Sequence, residues 1–407
     1  MKKIEKSKSL ENVNYAIRGR ILDAANKLEE KGFNILKLNI GNPADYNLNA
    51  PSNILESMKN NLITSQGYSD SKGLKSARKS IVEYYKNKNI DNIDIEDIYI
   101  GNGVSELILM AMQAFLNRGD EVLIPMPDYP LWTASVNLYG GKAVHYRCEE
   151  NNEWNPDIKD IEKKITSKTK GIIIINPNNP TGAVYSKKVL NQIINIAKKN
   201  NLVIFSDEIY DRLIYDGVEH ISIASLSKEI PIITFCGLSK SHMVAGFRIG
   251  WMCISGNKEY IKDYIDGLNL ISSMRLCSNV PGQNIIPIAL KNNSNMELLL
   301  KKGGRLYEQR EFIYNSLKEI SGITVVKPKA AFYIFPKIDV KKFAIKDDEK
   351  FALDFLKSKH ILFVNGKGFN WDKEDHFRLV YLADCDKLKY ATESLRDFLE
   401  NYNPKIS

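Results

Sequence analysis

The sequence has few cysteines, no long apolar run, no internal repeat and no linker rich in Pro, Gly or Ser. Its five cysteines occur without CxxC pairing, which excludes a disulfide framework and a cysteine-based zinc site and is typical of a reducing cytoplasm. No segment reaches the roughly 18 consecutive apolar residues that span a bilayer. The basic first residues are not followed by the apolar core of a secretory signal. We therefore expect a cytoplasmic protein without a membrane partner.

The charge is positive but dispersed. There are 57 lysines and arginines against 49 aspartates and glutamates, a net charge of +8 over 407 residues. Lysine is spread along the whole chain, whereas a nucleic-acid-binding surface needs clustered basic residues. We therefore expect no nucleic-acid partner, while binding of anionic small molecules is compatible with this charge.

The order of apolar segments predicts an α/β fold with a mostly parallel sheet, because helical patterns alternate with short apolar runs. The runs at 171–177 and 202–208 are apolar on both faces, as central strands covered by helices would be. A further strand, running into a Gly-Asn-Pro turn, is expected within 35–43. We predict an N-terminal segment (1–45) that packs with a small α+β domain (296–407), and a large domain between them (46–295).

Polar side chains follow successive predicted strands, where the loops of a parallel sheet bind ligands. An Asn- and Pro-rich turn containing Asn179 follows one strand, Asp207 and Tyr210 follow the next, and Lys240 follows a third, with Arg248 eight residues later. Singly, each has an ordinary explanation as a turn, a helix cap or a surface charge. Together they match what pyridoxal 5′-phosphate (PLP) needs: an amine for its aldehyde, a carboxylate for its ring nitrogen and a cation for its phosphate.

Motifs along nearly the whole chain carry a family resemblance: LNIGNP, QGYSDSKGL, IYIGNGVSELI, PDYPLW, NPNNPTGAVYS, DEIYD, GLSK, AGFRIGW, SMRLCSNVP, GGRLYEQR and DHFRLV. The sequence resembles the fold-type I PLP-dependent aminotransferases and, within them, is similar to the bacterial glutamate–pyruvate (alanine) aminotransferases. The resemblance implies a large domain with a mostly parallel central sheet flanked by helices, plus a smaller α+β domain. It also implies amino transfer between L-alanine/pyruvate and 2-oxoglutarate/L-glutamate by a ping-pong mechanism through pyridoxamine phosphate.

The resemblance assigns the cofactor ring to five residues. Lys240 would bind the aldehyde and move the proton between the substrate Cα and C4′ of PLP. Asp207 would pair with the ring nitrogen, Asn179 and Tyr210 would hydrogen-bond O3′, and Tyr129 would stack on the ring.

The phosphate is assigned to Val104 and Ser105 at the start of a helix, to Arg248, and to Tyr68 from a second subunit. A homodimer with shared active sites is therefore implied by the resemblance.

Substrate binding is assigned by the same resemblance. Arg378 would bind the α-carboxylate as a bidentate fork, with Asn179 and the backbone amide of Gly41 beside it. Arg18 and Arg275 are candidates for the second carboxylate of glutamate.

Gly237 departs from the family pattern, since many members have a phosphate-binding Ser or Thr three residues before the lysine. Ser239 could take over that hydroxyl's place. Other substrates (aromatic, branched or aspartate), β-lyase or decarboxylase chemistry, and a PLP-sensing regulator are the alternatives. A regulator would need an added DNA-binding segment.

Overall fold

The computed structural model describes residues 3–15, 17, 19–291 and 296–402. Helices occur throughout this part of the chain: α1 Arg20–Glu30, α2 Ser52–Asn61, α3 Lys75–Lys86, α4 Val104–Phe115, α5 Leu131–Leu138, α6 Ile158–Lys164, α7 Lys187–Lys199, α8 Leu238–Ser241, α9 Lys262–Met274, α10 Val280–Gln283, α11 Ile286–Lys291, α12 Met296–Leu300, α13 Arg305–Lys318, α14 Asp348–Lys359 and α15 Cys385–Asn401. None of the helices in the described ranges is both long and apolar enough to cross a membrane.

The strands alternate with these helices: β1 Leu36–Lys37, β2 Ile98–Asn102, β3 Glu121–Met126, β4 Lys142–Glu149, β5 Asn155–Pro156, β6 Thr169–Ile175, β7 Val203–Asp207, β8 Ile232–Gly237, β9 Ile249–Ser255, β10 Ile323–Thr324, β11 Tyr333–Ile334, β12 Lys337–Ile338, β13 Ile361–Leu362, β14 Val364–Asn365 and β15 Phe377–Val380.

An eight-stranded sheet forms the centre of the molecule, in the order β2-β9-β8-β7-β6-β3-β4-β5. The middle strands β8, β7, β6, β3 and β4 are parallel, and antiparallel strands flank them on both sides. Successive residues of β6 pack into different hydrophobic clusters, Ile172 and Ile174 into one and Ile173 and Ile175 into the other. Both faces are therefore buried, as the unalternating run predicted. The predicted α/β fold with a mostly parallel sheet is confirmed.

A separate hydrophobic core joins the C-terminal region to the N-terminal segment. It contains Phe351, Phe363 and Leu379 from the C-terminal strands and helices, together with Ile21 and Leu38. Strand β1 pairs in parallel with β13, so the backbone also connects the two ends of the chain. The boundaries at 45 and 295 stay a prediction.

The strand expected to run into the Gly-Asn-Pro turn within 35–43 ends at Lys37, earlier than predicted. Leu38 still makes backbone hydrogen bonds to Leu362 and Val380, but the carbonyl groups of Asn39 and Gly41 accept from side chains instead. Arg378 donates to the Asn39 oxygen and Lys240 to the Gly41 oxygen. The segment thereby becomes a wall of the cavity described next.

Candidate active site

A cavity of about 820 Å³ opens at the carboxyl ends of the parallel strands. Most of the residues assigned to cofactor and substrate from the sequence line it: Gly41, Val104, Ser105, Tyr129, Asn179, Asp207, Tyr210, Lys240, Arg248 and Arg378, with Ser239 beside them. Asn179, Asp207, Tyr210, Lys240 and Arg248 were expected together from strand order, and the other residues from the family resemblance; all of them line one surface, although they span more than 300 residues of sequence.

Lys240 stands in α8, directly after β8, and its Nζ donates to the Gly41 carbonyl oxygen at 2.6 Å. Burial, followed by the charges of Arg378 and Arg248, lowers the pKa of this amine from 10.5 to about 8. At pH 7 about one-tenth of it is neutral, against well under a thousandth of an ordinary lysine. A neutral amine is what nucleophilic attack and proton abstraction require.

Asp207 ends β7 and is almost completely buried. Its Oδ2 accepts a hydrogen bond from Trp132 Nε1 at 3.1 Å, and its Oδ1 accepts one from the Ile209 backbone amide at 3.2 Å. Burial raises the pKa of Asp207 to about 6, while the two hydrogen bonds oppose that rise. A buried carboxylate of this kind favours a cationic partner such as a protonated ring nitrogen.

Arg378 lies on β15 with its guanidinium buried between the rings of Tyr333 and Phe369, at 4.4 and 4.5 Å from their centroids. One Nη donates to Asn179 Oδ1 at 2.9 Å, and the other donates to the Asn39 carbonyl. Its Nε is buried without a hydrogen-bond partner. An unsatisfied N–H on a fixed guanidinium is a ready donor for a carboxylate ligand.

Tyr210 is buried, and its hydroxyl lies 2.7 Å from that of Tyr333. Burial raises the pKa of the Tyr210 phenol well above 10, so it stays a hydrogen-bond donor at neutral pH. Gly41 packs closely against Phe332 and Tyr333. A Cβ at this position would lie 2.3 Å from the Phe332 ring and 2.4 Å from the Tyr333 hydroxyl. Only glycine fits at this approach.

The start of α4 is a candidate anion site. Its N-cap Gly103 has a φ of +81° and makes no side-chain cap, so no side chain of that residue occupies the first backbone N–H groups, and Val104 and Ser105 line the cavity. Arg248 lies over Gly103, where a Cβ would come within 2.3 Å of its Nη2. Backbone amides at a helix start, together with a guanidinium, suit a phosphate group.

Gly237 is explained by packing. A Cβ on this residue would lie 2.6 Å from the Ile249 carbonyl oxygen and 3.0 Å from the Gly250 Cα. Both are backbone atoms of the neighbouring strand, so a Ser or Thr would require a backbone shift. Ser239 lines the cavity instead.

Two assigned residues that the structure describes do not line the cavity of this chain. Tyr68 is 84% exposed and lies outside it. Arg275 also lies outside, with its guanidinium paired to Glu106 at 2.6 Å. Arg18 falls outside the described residues.

Sequence reasoning missed several residues of the site. Tyr15 lines the cavity and its hydroxyl lies 2.9 Å from that of Tyr129. The indole of Trp132 hydrogen-bonds Asp207, and the hydroxyl of Tyr333 hydrogen-bonds that of Tyr210. Lys37 also lines the cavity. Only Trp132 carried a signal, because it closes the quoted motif PDYPLW three residues after Tyr129.

Comparison with known proteins gives the same family as the motifs. Residues 34–395 match the model of "Aminotransferase class I and II". The chain belongs to this family. It is 54% identical over 403 residues to the glutamate-pyruvate aminotransferase AlaA of Escherichia coli K12, covering 99% of this chain and all of that one. It is 56% identical over 402 residues to that of Haemophilus influenzae, with the same coverage. A solved aminotransferase structure from Escherichia coli superimposes with a TM-score of 0.98 at 54% identity, over 98% of this chain and 99% of the other.

The prediction of a PLP-dependent aminotransferase is confirmed by these relationships. The residues of this aminotransferase also fit the cofactor. Arg378 Nε is an unsatisfied buried donor, and Arg248 lies over a helix start that admits no Cβ at Gly103. Asp207 is a buried carboxylate and Lys240 a desolvated amine in the same cavity. These groups match the carboxylate of an amino acid and the phosphate, ring nitrogen and aldehyde of PLP.

Proposed function

We propose that this aminotransferase moves the amino group between L-alanine and 2-oxoglutarate, giving pyruvate and L-glutamate, and catalyses the reverse reaction. The buried Arg378, with its unsatisfied Nε, supports an α-carboxylate as the feature shared by all four substrates. The relatives that match over their full length carry the name glutamate-pyruvate aminotransferase, which supports the substrate pair.

When bound, PLP supplies an aldehyde that links to amines and a ring that acts as an electron sink for the substrate Cα. Asp207 would hold the ring nitrogen protonated, Asn179 and Tyr210 would bind O3′, and Tyr129 would cover the ring face. Val104 and Ser105, with Arg248, would hold the phosphate.

Proton transfer is assigned to Lys240. Its lowered pKa leaves a useful fraction of neutral amine at pH 7, so Nζ can take the proton from the substrate Cα. Arg378 and Asn179 hold the α-carboxylate, which orients the Cα–H bond towards this amine. The Gly41 carbonyl that accepts from Lys240 keeps Nζ on the cavity side.

The second carboxylate of glutamate needs a cation that does not stay unpaired when alanine binds. Four cations among the described residues line the cavity: Lys37, Lys240, Arg248 and Arg378. We propose Lys37 for this task, since the other three have assigned partners. Its Nζ pairs with Glu29 at 2.8 Å, and both side chains are at least one-third exposed. An exposed ion pair of this kind contributes only about 0–1 kcal/mol to stability. Lys37 can therefore leave Glu29 and pair with the substrate carboxylate at little cost in free energy. Arg18 stays a predicted alternative.

A pair of substitutions tests this assignment. Lys37→Met should raise KM for glutamate and 2-oxoglutarate by up to about fivefold and leave KM for alanine unchanged, since a partly exposed charge pair is lost only for the dicarboxylates. Glu29→Gln should lower KM for the dicarboxylates, because Lys37 is then released. Equal changes for alanine and glutamate would exclude Lys37 from this role.

We also propose a homodimer in which Tyr68 reaches the partner's phosphate site. Exposed apolar side chains lie around it: Leu62 and Ile63 on the preceding turn, and Leu270, Met274 and Leu276 at the end of α9. Hydrogen bonds from Ser272 and Arg275 to the Ser71 carbonyl hold the two segments together. An apolar surface of this kind is typical of subunit contacts.

Subunit complementation tests the dimer. Tyr68→Phe and Lys240→Ala each impair every site of their own homodimer. A mixed dimer contains one site with neither substitution if Tyr68 acts across the interface. Activity should therefore reappear after the two variants are mixed and reassembled, and a mixture that stays as inactive as its components would contradict the shared site.

Absorbance titration of the purified holoenzyme tests the reaction itself. L-Alanine and L-glutamate, added singly without acceptor, should each bleach the cofactor band and release pyruvate and 2-oxoglutarate respectively, while L-aspartate has little effect. A response confined to another amino acid would favour an aminotransferase of different specificity. Release of pyruvate and ammonia from an S-substituted cysteine, which carries a leaving group on Cβ, would favour a β-lyase.

A further inference from the structure

A hydrogen-bonded tether connects Arg275 to the start of α4. Arg275 Nη1 donates to Glu106 Oε2 at 2.6 Å and to the Ile100 carbonyl at 3.2 Å, while Nη2 donates to the Ser71 carbonyl at 2.7 Å. Its side chain is mostly buried. These bonds fix the guanidinium within its own chain, behind the helix whose first residues line the cavity.

Glu106 passes this constraint to Asn102. The carboxylate accepts from the Asn102 backbone amide at 2.7 Å and from Asn102 Nδ2 at 3.0 Å. Asn102 is the last residue of β2, and Gly103 then opens α4. The direction in which the strand turns into the helix is therefore set by a carboxylate that Arg275 holds.

Asn102 also positions Arg248. Its carbonyl oxygen accepts from Arg248 Nη2 at 3.3 Å, and its Oδ1 accepts from the Asn279 backbone amide at 2.9 Å. Asn279 Nδ2 donates in turn to the Arg248 carbonyl at 3.0 Å. One residue thus links the helix start and the guanidinium that flank the proposed phosphate position.

Arg275 has an electrostatic effect as well. Glu106 stands in the first turn of α4, one residue after Ser105. An unpaired carboxylate there would repel a phosphate dianion and compete with it for the positive end of the helix. The charge of Arg275 offsets that repulsion.

We propose that Arg275 is a positioning residue for the cofactor phosphate, acting through Glu106 and Asn102. This inference rests on the cofactor site described above. It differs from the prediction that Arg275 binds the second carboxylate of the substrate. A role in cofactor positioning affects the affinity for PLP, whereas a role in substrate binding affects KM for glutamate.

The test compares how apoprotein variants bind PLP and pyridoxal, which lacks the phosphate. Arg275→Met should weaken PLP binding about tenfold, because the partly buried Glu106 carboxylate loses its charged partner beside the phosphate position, and should leave pyridoxal binding unchanged. The double variant Arg275→Met/Glu106→Gln should recover most of the PLP affinity, since no carboxylate is left uncompensated. Lys258→Met is a matched control, because it breaks the 2.7 Å pair with Asp97 at the other end of β2.

Each other outcome overturns the inference. Equal weakening of PLP and pyridoxal would mean that Arg275 supports the fold alone. Unchanged PLP affinity with a higher KM for glutamate would assign Arg275 to substrate. If wild-type apoprotein binds PLP and pyridoxal equally well, the phosphate site itself is wrong, and that failure is visible without any variant.

Discussion

Replacing Trp132 by Phe should raise the pKa of Asp207 and shift the pH range in which PLP binds. The indole is fully buried and packs edge-on against Phe235 at 5.1 Å, so a phenyl ring keeps most of this contact. The substitution removes the Nε1–H that donates to Asp207 Oδ2 at 3.1 Å. That donor is the largest single influence opposing the rise in pKa caused by burial.

The expected size of the shift follows from this one hydrogen bond. Hydrogen bonds to charged groups contribute about 1.5–3 kcal/mol, and one pKa unit corresponds to about 1.4 kcal/mol. The pKa of Asp207 in the apoprotein, about 6 in the native sequence, should therefore rise to roughly 7–8. At pH 7 the ionised fraction would fall from about nine-tenths to between a half and a tenth.

The assay is the dissociation constant of PLP for the apoprotein between pH 5 and 9. A protonated ring nitrogen needs the Asp207 carboxylate, so wild-type affinity should decline below pH 6 and Trp132→Phe affinity below pH 7 to 8. Trp154→Phe is the matched control, because Trp154 is similarly buried and packs edge-on against the rings of Phe335 and Trp371, whereas the indole that donates to Asp207 is that of Trp132. An unchanged acidic midpoint in Trp132→Phe would refute the reasoning.

Three further substitutions test the site directly. Lys240→Ala should abolish transamination while PLP still binds without a borohydride-reducible link, which mass spectrometry detects. Asp207→Asn should inactivate the enzyme yet stabilise the apoprotein by up to about 3 kcal/mol at pH 7 in urea unfolding, because the pKa of the buried acid stands near 6 instead of 3.8. That gain should disappear as the pH falls from 6 to 4, since the folded protein then binds the proton more tightly than the unfolded chain. Arg378→Lys should lower kcat/KM for alanine and glutamate alike, by about a hundredfold, because the bidentate contact to their common α-carboxylate is lost.

The sequence predicted those parts of the site that follow from strand order. Asp207 and Lys240 stand directly after apolar runs, and parallel strands bring their carboxyl ends to one edge. Any sequence with these runs would place the same positions together. The motifs then supplied their chemical identity.

The residues that were missed act across long sequence separations. Trp132 and Asp207 are 75 residues apart, and Tyr210 and Tyr333 are 123 apart. No local sequence pattern predicts these two hydrogen bonds, because they depend on how α5 and β11 pack over the edge of the sheet. Tyr15 precedes α1, which begins at Arg20, and it stands outside the motifs quoted above.

Burial is the main cause of the lowered pKa of Lys240, and two cations of the cavity add to it. Lys240, Arg248 and Arg378 stand close enough that the two guanidinium charges lower the pKa of the amine, in addition to burial. Anionic substrates and a phosphate require those same guanidinium groups, so these groups contribute both to anion binding and, after burial, to the activation of the amine. Arg378→Gln should therefore raise the pKa of Lys240 in the apoprotein, whereas Arg378→Lys should leave it nearly unchanged because the positive charge is retained. A pH titration of the ¹³C-methylated Lys240 amine by NMR separates the two variants. If both left the pKa near 8, burial alone would account for the activation of Lys240, and the guanidinium groups would serve binding only.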